Sequence, residues 1–201
     1  SMKSCCEYGR RAYISKSDNP KRKLSYTWEL LEMTDSLVGI NTMVPNRLVC
    51  DSIINGAIDE LSGYDFIQPE VKTSQHTRLD LLLTKKDDER DRIKTNKCYI
   101  EVKNCTLVED KIAKFPDAVT KRGQKHLEEL SRLVKDGNRG VIFFLIQRMD
   151  AESFMPAVDI DPHYSDLLKK VHDDGVEIIV RSGVLTTERI SLGSTLPIKE
   201  W

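Results

Sequence analysis

Glu101 and Lys103 stand two positions apart inside Cys98-Tyr99-Ile100-Glu101-Val102-Lys103, a segment otherwise apolar and β-prone. Side chains alternate faces along a strand. Cys98, Ile100 and Val102 should therefore point one way, and Tyr99, Glu101 and Lys103 the other. That places a carboxylate and an ammonium side by side on an apolar sheet, where charges are costly unless paired or bound to something. Upstream, Thr77-Arg78-Leu79-Asp80-Leu81-Leu82-Leu83 reads as a second strand, with Leu79, Leu81 and Leu83 toward the core and Arg78 and Asp80 on the opposite side. A hairpin between the two strands sets Asp80 opposite Glu101 or one register away. Two carboxylates and a lysine then converge, as metal-dependent phosphodiester cleavage requires. Hard oxygen ligands hold Mg²⁺, the metal activates a water, and an ammonium steers that water or stabilises the charged phosphorane. A cross-strand salt bridge uses the same residues, and both readings stand.

The spacing alone decides nothing. The chain has three acid-x-Lys triplets, Glu70-x-Lys72, Glu101-x-Lys103 and Glu109-x-Lys111, which is about what chance gives with 32 acids in 201 residues. Glu70 even follows Pro69. Only context sets Glu101 apart: an apolar strand, an upstream aspartate on another apolar strand, and a long helix afterwards.

The elements that must position these groups follow from periodicity and turn residues. Short β-prone runs at 12–15, 26–31 and 37–40 are separated by polar turns. Pro45 opens an amphipathic helix over 45–62, with Val49, Ile53, Ala57 and Leu61 on one face and Gly63 as a stop. Strands are expected at 64–72, 77–83 and 98–103. Residues 84–96 carry nine charges in thirteen positions and read as a mobile hairpin loop. A helix over 117–136 buries Leu127, Leu130, Leu133 and Val134. Residues 140–146 form a continuous apolar run, as in a strand buried on both faces. A helix near 163–173, which Asp161 can cap, and strands at 176–181 and 184–191 complete the chain.

Composition sets the class. Apolar residues make up 39% and charged residues 31%, and the formal charge is −1, which fits a globular protein and excludes binding nucleic acid through bulk charge. No apolar run approaches the ~20 residues of a membrane span, and the opening residues form no secretory signal, so the chain reads as cytoplasmic. Cys5, Cys6, Cys50, Cys98 and Cys105 are odd in number and lack zinc spacing, so they read as reduced thiols. Residues 7–28 carry six positive charges (Arg10, Arg11, Lys16, Lys21, Arg22, Lys23) against Glu7 and Asp18, with Tyr13, Tyr26 and Trp28 interleaved. A basic groove with aromatic platforms binds nucleic acid in this way. Strand aromatics beside a solvated loop have the same composition, and Trp28 fits a core position. His126 and His163 read as structural.

Several long motifs resemble the sugar fermentation stimulation protein A family. They are Tyr99-Ile100-Glu101-Val102-Lys103-Asn104, Phe115-Pro116-Asp117-Ala118-Val119-Thr120, Arg122-Gly123-Gln124-Lys125-His126-Leu127, Ser17-Asp18-Asn19-Pro20-Lys21-Arg22-Lys23, Tyr26-Thr27-Trp28-Glu29-Leu30 and Asn46-Arg47-Leu48. The resemblance spans nearly the whole chain. It implies an α/β (α+β) protein: an OB-like β domain over 1–43, then a nuclease-like αβββαβ domain of PD-(D/E)xK type over 44–201. Members of the family begin well before the position matched by Ser1-Met2-Lys3, so the OB-like domain is expected to be partial. Three strands cannot close a barrel.

The resemblance also implies DNA as partner, without marked sequence preference, and a link to sugar (maltose) metabolism genes. Mapped residue by residue, Asp80 and Glu101 become the metal-binding acids, with the Val102 carbonyl as third ligand to Mg²⁺ or Mn²⁺, and Lys103 positions the water. Gln124 is a further catalytic candidate on the following helix, and Glu60 a weak candidate for the helix acid of this fold. Lys21, Arg22, Lys23, Arg122, Lys125 and Trp28 are candidate DNA contacts, beside Lys121. The expected function is Mg²⁺-dependent DNA hydrolysis. The alternative is a non-catalytic DNA-binding regulator of sugar genes on a nuclease scaffold. A homo-oligomer remains open.

Overall fold

In the computed structural model, residues 5, 7–34, 36–75, 77–86 and 97–201 are described. Most of the expected loop at 84–96 lies outside them. The N-terminal runs form an antiparallel sheet of β1 (Ala12–Lys16), β2 (Tyr26–Glu32) and β3 (Leu37–Gly39). Its inner side buries Leu31 and Val38 around Cys5, Leu30 is buried toward the groove beside α1, and Ile14 and Tyr26 stay exposed. Trp28 departs from the expected core position. It is 39% exposed, and its indole N–H donates to the Leu30 carbonyl at 2.9 Å. Three strands leave the OB-like sheet open at its edges. It docks on the rest of the molecule through Gly39, whose N–H donates to the Gln147 carbonyl at 3.0 Å, and through Ser36 Oγ, which accepts from Met149 N–H at 3.0 Å.

The helix α1 (Val44–Ile54) has Pro45 in its first turn, one residue inside its start, but stops well before Gly63. Gly56, at φ +69°, donates to the Ile53 carbonyl, and Ala57 donates to that of Ser52. This pair of returning bonds is the Schellman closure, which needs a residue that tolerates positive φ. A single 3₁₀ turn, Asp59–Leu61, follows. Glu60 therefore lies outside the helix, where its carboxylate sits 3.6 Å from Arg181.

A six-stranded sheet runs in the order β12 (Ile190–Thr195), β11 (Glu177–Leu185), β9 (Arg139–Ile146), β6 (Lys97–Cys105), β5 (Arg78–Thr84), β4 (Phe66–Lys72). The strands β6, β9 and β11 are parallel, joined through α2 (Lys121–Lys135) and α3 (Pro162–Asp173), while β4, β5 and β12 are antiparallel additions. Ile142, Phe144 and Ile146 of β9 pack with Leu127, Leu130 and Leu168 of the two helices. Val141, Phe143 and Leu145 pack on the other face with Val49 of α1, Ile58 and Leu61. The expected two-sided burial of the 140–146 run follows from this three-layer arrangement. Asp161 caps α3 by accepting from Tyr164 N–H, as its position predicts.

A small third sheet was not expected. It comprises β7 (Leu107–Glu109), β8 (Ile112–Phe115) and β10 (Ser153–Pro156). The β7–β8 turn places Asp110 and Lys111 at φ +48° and +64° without any glycine, so the usual hairpin signal is missing. At the C-terminal end, Gly183 does not interrupt β11, and the turn falls at Thr186–Arg189 instead. Cys50, Cys98 and Cys105 are free thiols. Among the described residues no helix is long and apolar enough to cross a membrane.

Candidate metal centre

β5 and β6 pair from Thr84↔Lys97 to Leu81↔Ile100, and there the ladder ends. The same register carried one step further sets Asp80 opposite Glu101. The strands splay at this point, and a side chain replaces the backbone partner: Asp80 Oδ2 accepts the Val102 N–H at 2.8 Å. The strict alternation expected of β5 also breaks here. Leu81 and Leu83 join the α1-side core, but Leu79 and Leu82 both lie in the α2-side core. Both faces of this sheet are buried, so "toward the core" does not select one of them.

Each wall of the fork supplies a partner. From α1, Asn46 Nδ2 donates to Asp80 Oδ1 at 2.7 Å. On the other face, Glu101 is 3% exposed, and its Oε1 accepts from Lys103 Nζ at 2.6 Å and from His126 Nδ1 of α2. The second Glu101 oxygen, Oε2, is buried and has no hydrogen-bond partner among the described residues. A buried acceptor left unpaired costs about 1–3 kcal/mol, so Oε2 has room for a further partner. Val102 adds another acceptor. In an extended strand a residue's N–H and C=O leave the same edge, so its carbonyl faces the fork alongside Asp80.

The electrostatics suit a cation. Burial, and then the neighbouring Glu101 charge, push Asp80 up to about 6, against the opposing effect of the Val102 N–H and of Lys103. Burial also pushes Glu101 upward, but the His126 hydrogen bond and the Lys103 charge outweigh it and hold Glu101 below the ordinary carboxylate range. A divalent ion between the two acids would relieve the Asp80 penalty. The donor set is two carboxylates and a carbonyl, all hard oxygens, which fits Mg²⁺ or Mn²⁺. Among the described residues there is no group of three or more His, Cys, Asp and Glu side chains arranged for a metal.

The other candidates lie elsewhere. Gln124 Nε2 donates to the Asp161 carboxylate, at 3.2 and 3.3 Å, and so supports the start of α3. The α2 residue that reaches Glu101 is His126, two positions further along the helix. Glu60 is tied to Arg181 and not to Asp80. Of the three acid-x-Lys triplets, Glu70 pairs with Arg78 at the exposed surface and Lys111 with Glu152, also exposed. Only Glu101-x-Lys103 is a buried, internally paired unit. Lys121, Arg122 and Lys125 line the outer side of α2, and Lys21, Arg22 and Lys23 are exposed in the β1–β2 connection, where Arg22 donates to Thr27 Oγ1.

Sequence reasoning missed Asn46 and His126 as site residues. Asn46 was visible only as part of a motif, and His126 looks like an ordinary helix histidine until the crossover brings α2 over β6. A groove of 440 Å³ lies between the N-terminal sheet, α1 and the β11–β12 turn. Arg47 and Arg189 there face Glu29, Asp51 and Glu188. Their charges leave no basic excess to attract a polyanion.

Known proteins match this chain over nearly all of its length. The model of the SfsA N-terminal OB domain matches residues 1–40, and that of the Sugar fermentation stimulation protein RE domain matches 43–189. The Sugar fermentation stimulation protein homolog of Pelobacter propionicus is 51% identical over 98% of this chain and 83% of its own length, and that of Geobacter sulfurreducens is 48% identical over 98% and 82%. The solved structure of Pyrococcus furiosus SfsA in complex with Ca²⁺ superposes with a TM-score of 0.84 at 26% identity, covering 96% of this chain and 79% of that one. With an open OB-like sheet ahead of a six-stranded sheet that splays at Asp80 and Glu101, and with a relative 51% identical over 98% of this chain, the chain belongs to the sugar fermentation stimulation protein family.

Proposed function

We propose that this protein binds DNA and hydrolyses its phosphodiester bonds with Mg²⁺ or Mn²⁺ at the fork between β5 and β6. The observation that carries the reading is the buried, unpartnered Glu101 Oε2 beside an Asp80 whose acidity burial has weakened. The Ca²⁺ bound by the Pyrococcus furiosus relative is a hard, oxygen-seeking cation of the same kind. Asp80, Glu101 Oε2 and the Val102 carbonyl would hold the metal, which supplies Lewis acidity and an activated water.

The remaining work falls to this chain's own groups. Lys103, with its side chain 11% exposed, is held by Glu101 at the rim of the site. There its ammonium orients the attacking water and offsets charge on the phosphate. Arg122, Lys121 and Lys125 on α2, with Lys21, Arg22 and Lys23 on the β1–β2 connection, would fix the backbone phosphates. Trp28, exposed on β2, offers a stacking surface for an unpaired base.

One observation favours the second reading, a non-catalytic DNA-binding regulator. Glu101 already has two donors on Oε1, as a purely structural buried pair would. Cleavage of plasmid and single-stranded DNA with Mg²⁺ or Mn²⁺ separates the two. Cleavage that EDTA and Lys103→Ala both abolish establishes the nuclease. Salt-sensitive DNA binding without cleavage in any metal establishes the regulator.

A further inference from the structure

His126 lies on α2, 5% exposed, with its two ring nitrogens turned toward different partners. Nδ1 meets Glu101 Oε1, and Nε2 lies 3.4 Å from Arg122 Nε, whose N–H points at it. Arginine only donates, and an ionised glutamate only accepts. In the neutral ring these partners make Nε2 the acceptor nitrogen and place the proton on Nδ1. The hydrogen bonds thus select one tautomer from both ends of the ring, as the partners of metal-bound histidines do in other sites. Here the ring acts on a carboxylate instead.

Lys103 Nζ donates to the same Oε1, 2.6 Å away, and lies 3.3 Å from Nδ1. Two donors converge on one oxygen of Glu101 while the other oxygen has none. Without the imidazole, a single flexible lysine would hold Glu101, and a carboxyl rotation would exchange the two oxygens. With it, the exchange would break two hydrogen bonds at a carboxylate that is 3% exposed.

We propose that His126 is a positioning residue: fixed by Arg122 as the Nδ1–H tautomer, it pins Glu101 Oε1 and thereby presents Oε2 to a divalent cation at the fork. The proposal rests on the metal-binding reading above and extends it to α2. It also gives Arg122 an inward role besides any contact with phosphate. Gln124, on the same helix, serves Asp161 instead.

The test uses the whole chain and Mn²⁺ alone, titrated calorimetrically without DNA. Wild type should bind Mn²⁺, and His126→Leu, which keeps an apolar filling but no donor, should bind it 10–100-fold more weakly. His126→Asn, whose amide N–H falls near the Nδ1 position, should recover most of the affinity, a rescue that packing alone would not produce. Long-range ¹H–¹⁵N NMR of metal-free wild type should show the His126 proton on Nδ1. An Nε2–H tautomer overturns the proposal, even if His126→Leu fails to fold. So does Mn²⁺ binding that is unchanged in His126→Leu, or equally poor in the asparagine variant. Failure of wild type itself to bind Mn²⁺ overturns the metal reading, and this proposal with it; wild-type binding with insensitive variants removes only the role of His126.

Discussion

At the scale of single residues, Asp80 and Glu101 show how two neighbouring carboxylates shift in opposite directions. Asp80 is pushed up to about 6 by burial and by Glu101. In the unfolded chain it loses its proton near the ordinary carboxylate pH, so the folded state holds that proton longer. The stabilisation this gives is complete in acid and is lost as pH rises through about 6, a change of up to ~3 kcal/mol. Glu101 has the opposite sign. Its lowered value contributes stability above the ordinary carboxylate range that is lost as pH falls through the folded value. Asp80→Asn should therefore leave the metal-free protein at pH 8 at least as stable as wild type, with the Asn46 amide turning to meet the new NH₂. In thermal melts the variant should gain on wild type as pH rises from 5 to 7, because only wild type gives up a proton over that range. Glu101→Gln should instead cost about 3–5 kcal/mol, because it strands the buried Lys103 ammonium. A clear loss of melting temperature in metal-free Asp80→Asn would make Asp80 a structural acceptor for Val102 and Asn46, and would count against its role as a ligand. Added Mn²⁺ should raise the wild-type melting temperature more at pH 8 than at pH 5, since protons and metal compete for the same oxygens.

At the scale of elements, the start of α2 decides how His126 meets the sheet. Thr120 caps the helix by accepting from Gly123 N–H at 3.0 Å, and Asp161 accepts from Thr120 N–H at 2.9 Å. Alanine is better than glycine inside a helix by about 1 kcal/mol. At position 123 that preference should reverse. A Cβ there would lie 2.8 Å from Thr120 Cγ2 and 3.0 Å from the ring of Tyr164, which is fully buried. Gly123→Ala should lower the melting temperature by displacing the cap, and should weaken Mn²⁺ binding as α2 shifts from Glu101. A variant more stable than wild type would show that the first turn of α2 has room to adjust and does not fix the site.

At the scale of the whole molecule, the net charge of −1 requires that any grip on DNA come from local clusters. Two of the six N-terminal cations are already committed, Arg10 to Glu7 and Arg11 to Glu32. Lys21, Arg22 and Lys23 project from the β1–β2 connection. Replacing all three by alanine should flatten the salt dependence of DNA binding by about two to three in log–log slope, since each phosphate contact releases counterions. The melting temperature should hardly move, because these side chains are exposed. An unchanged slope would remove the N-terminal sheet from the DNA path and leave the α2 face as the contact.

The apolar rhythm of β6 and β9, Pro45 at the head of α1 and the Asp161 cap of α3 were legible in the sequence because each depends on neighbours within a turn or a pleat. So were Glu101 and Lys103 as a same-face pair, a direct consequence of the two-residue period of a strand. The sequence could not choose among its three acid-x-Lys triplets, since burial separates them and burial belongs to the tertiary fold. Nor could it show Asn46 and His126, which lie 34 residues before Asp80 and 25 after Glu101. They reach the fork only because α1 and α2 pack on opposite faces of one sheet. Which oxygen of Glu101 is left open was likewise decided in three dimensions, by donors that different elements bring to its partner.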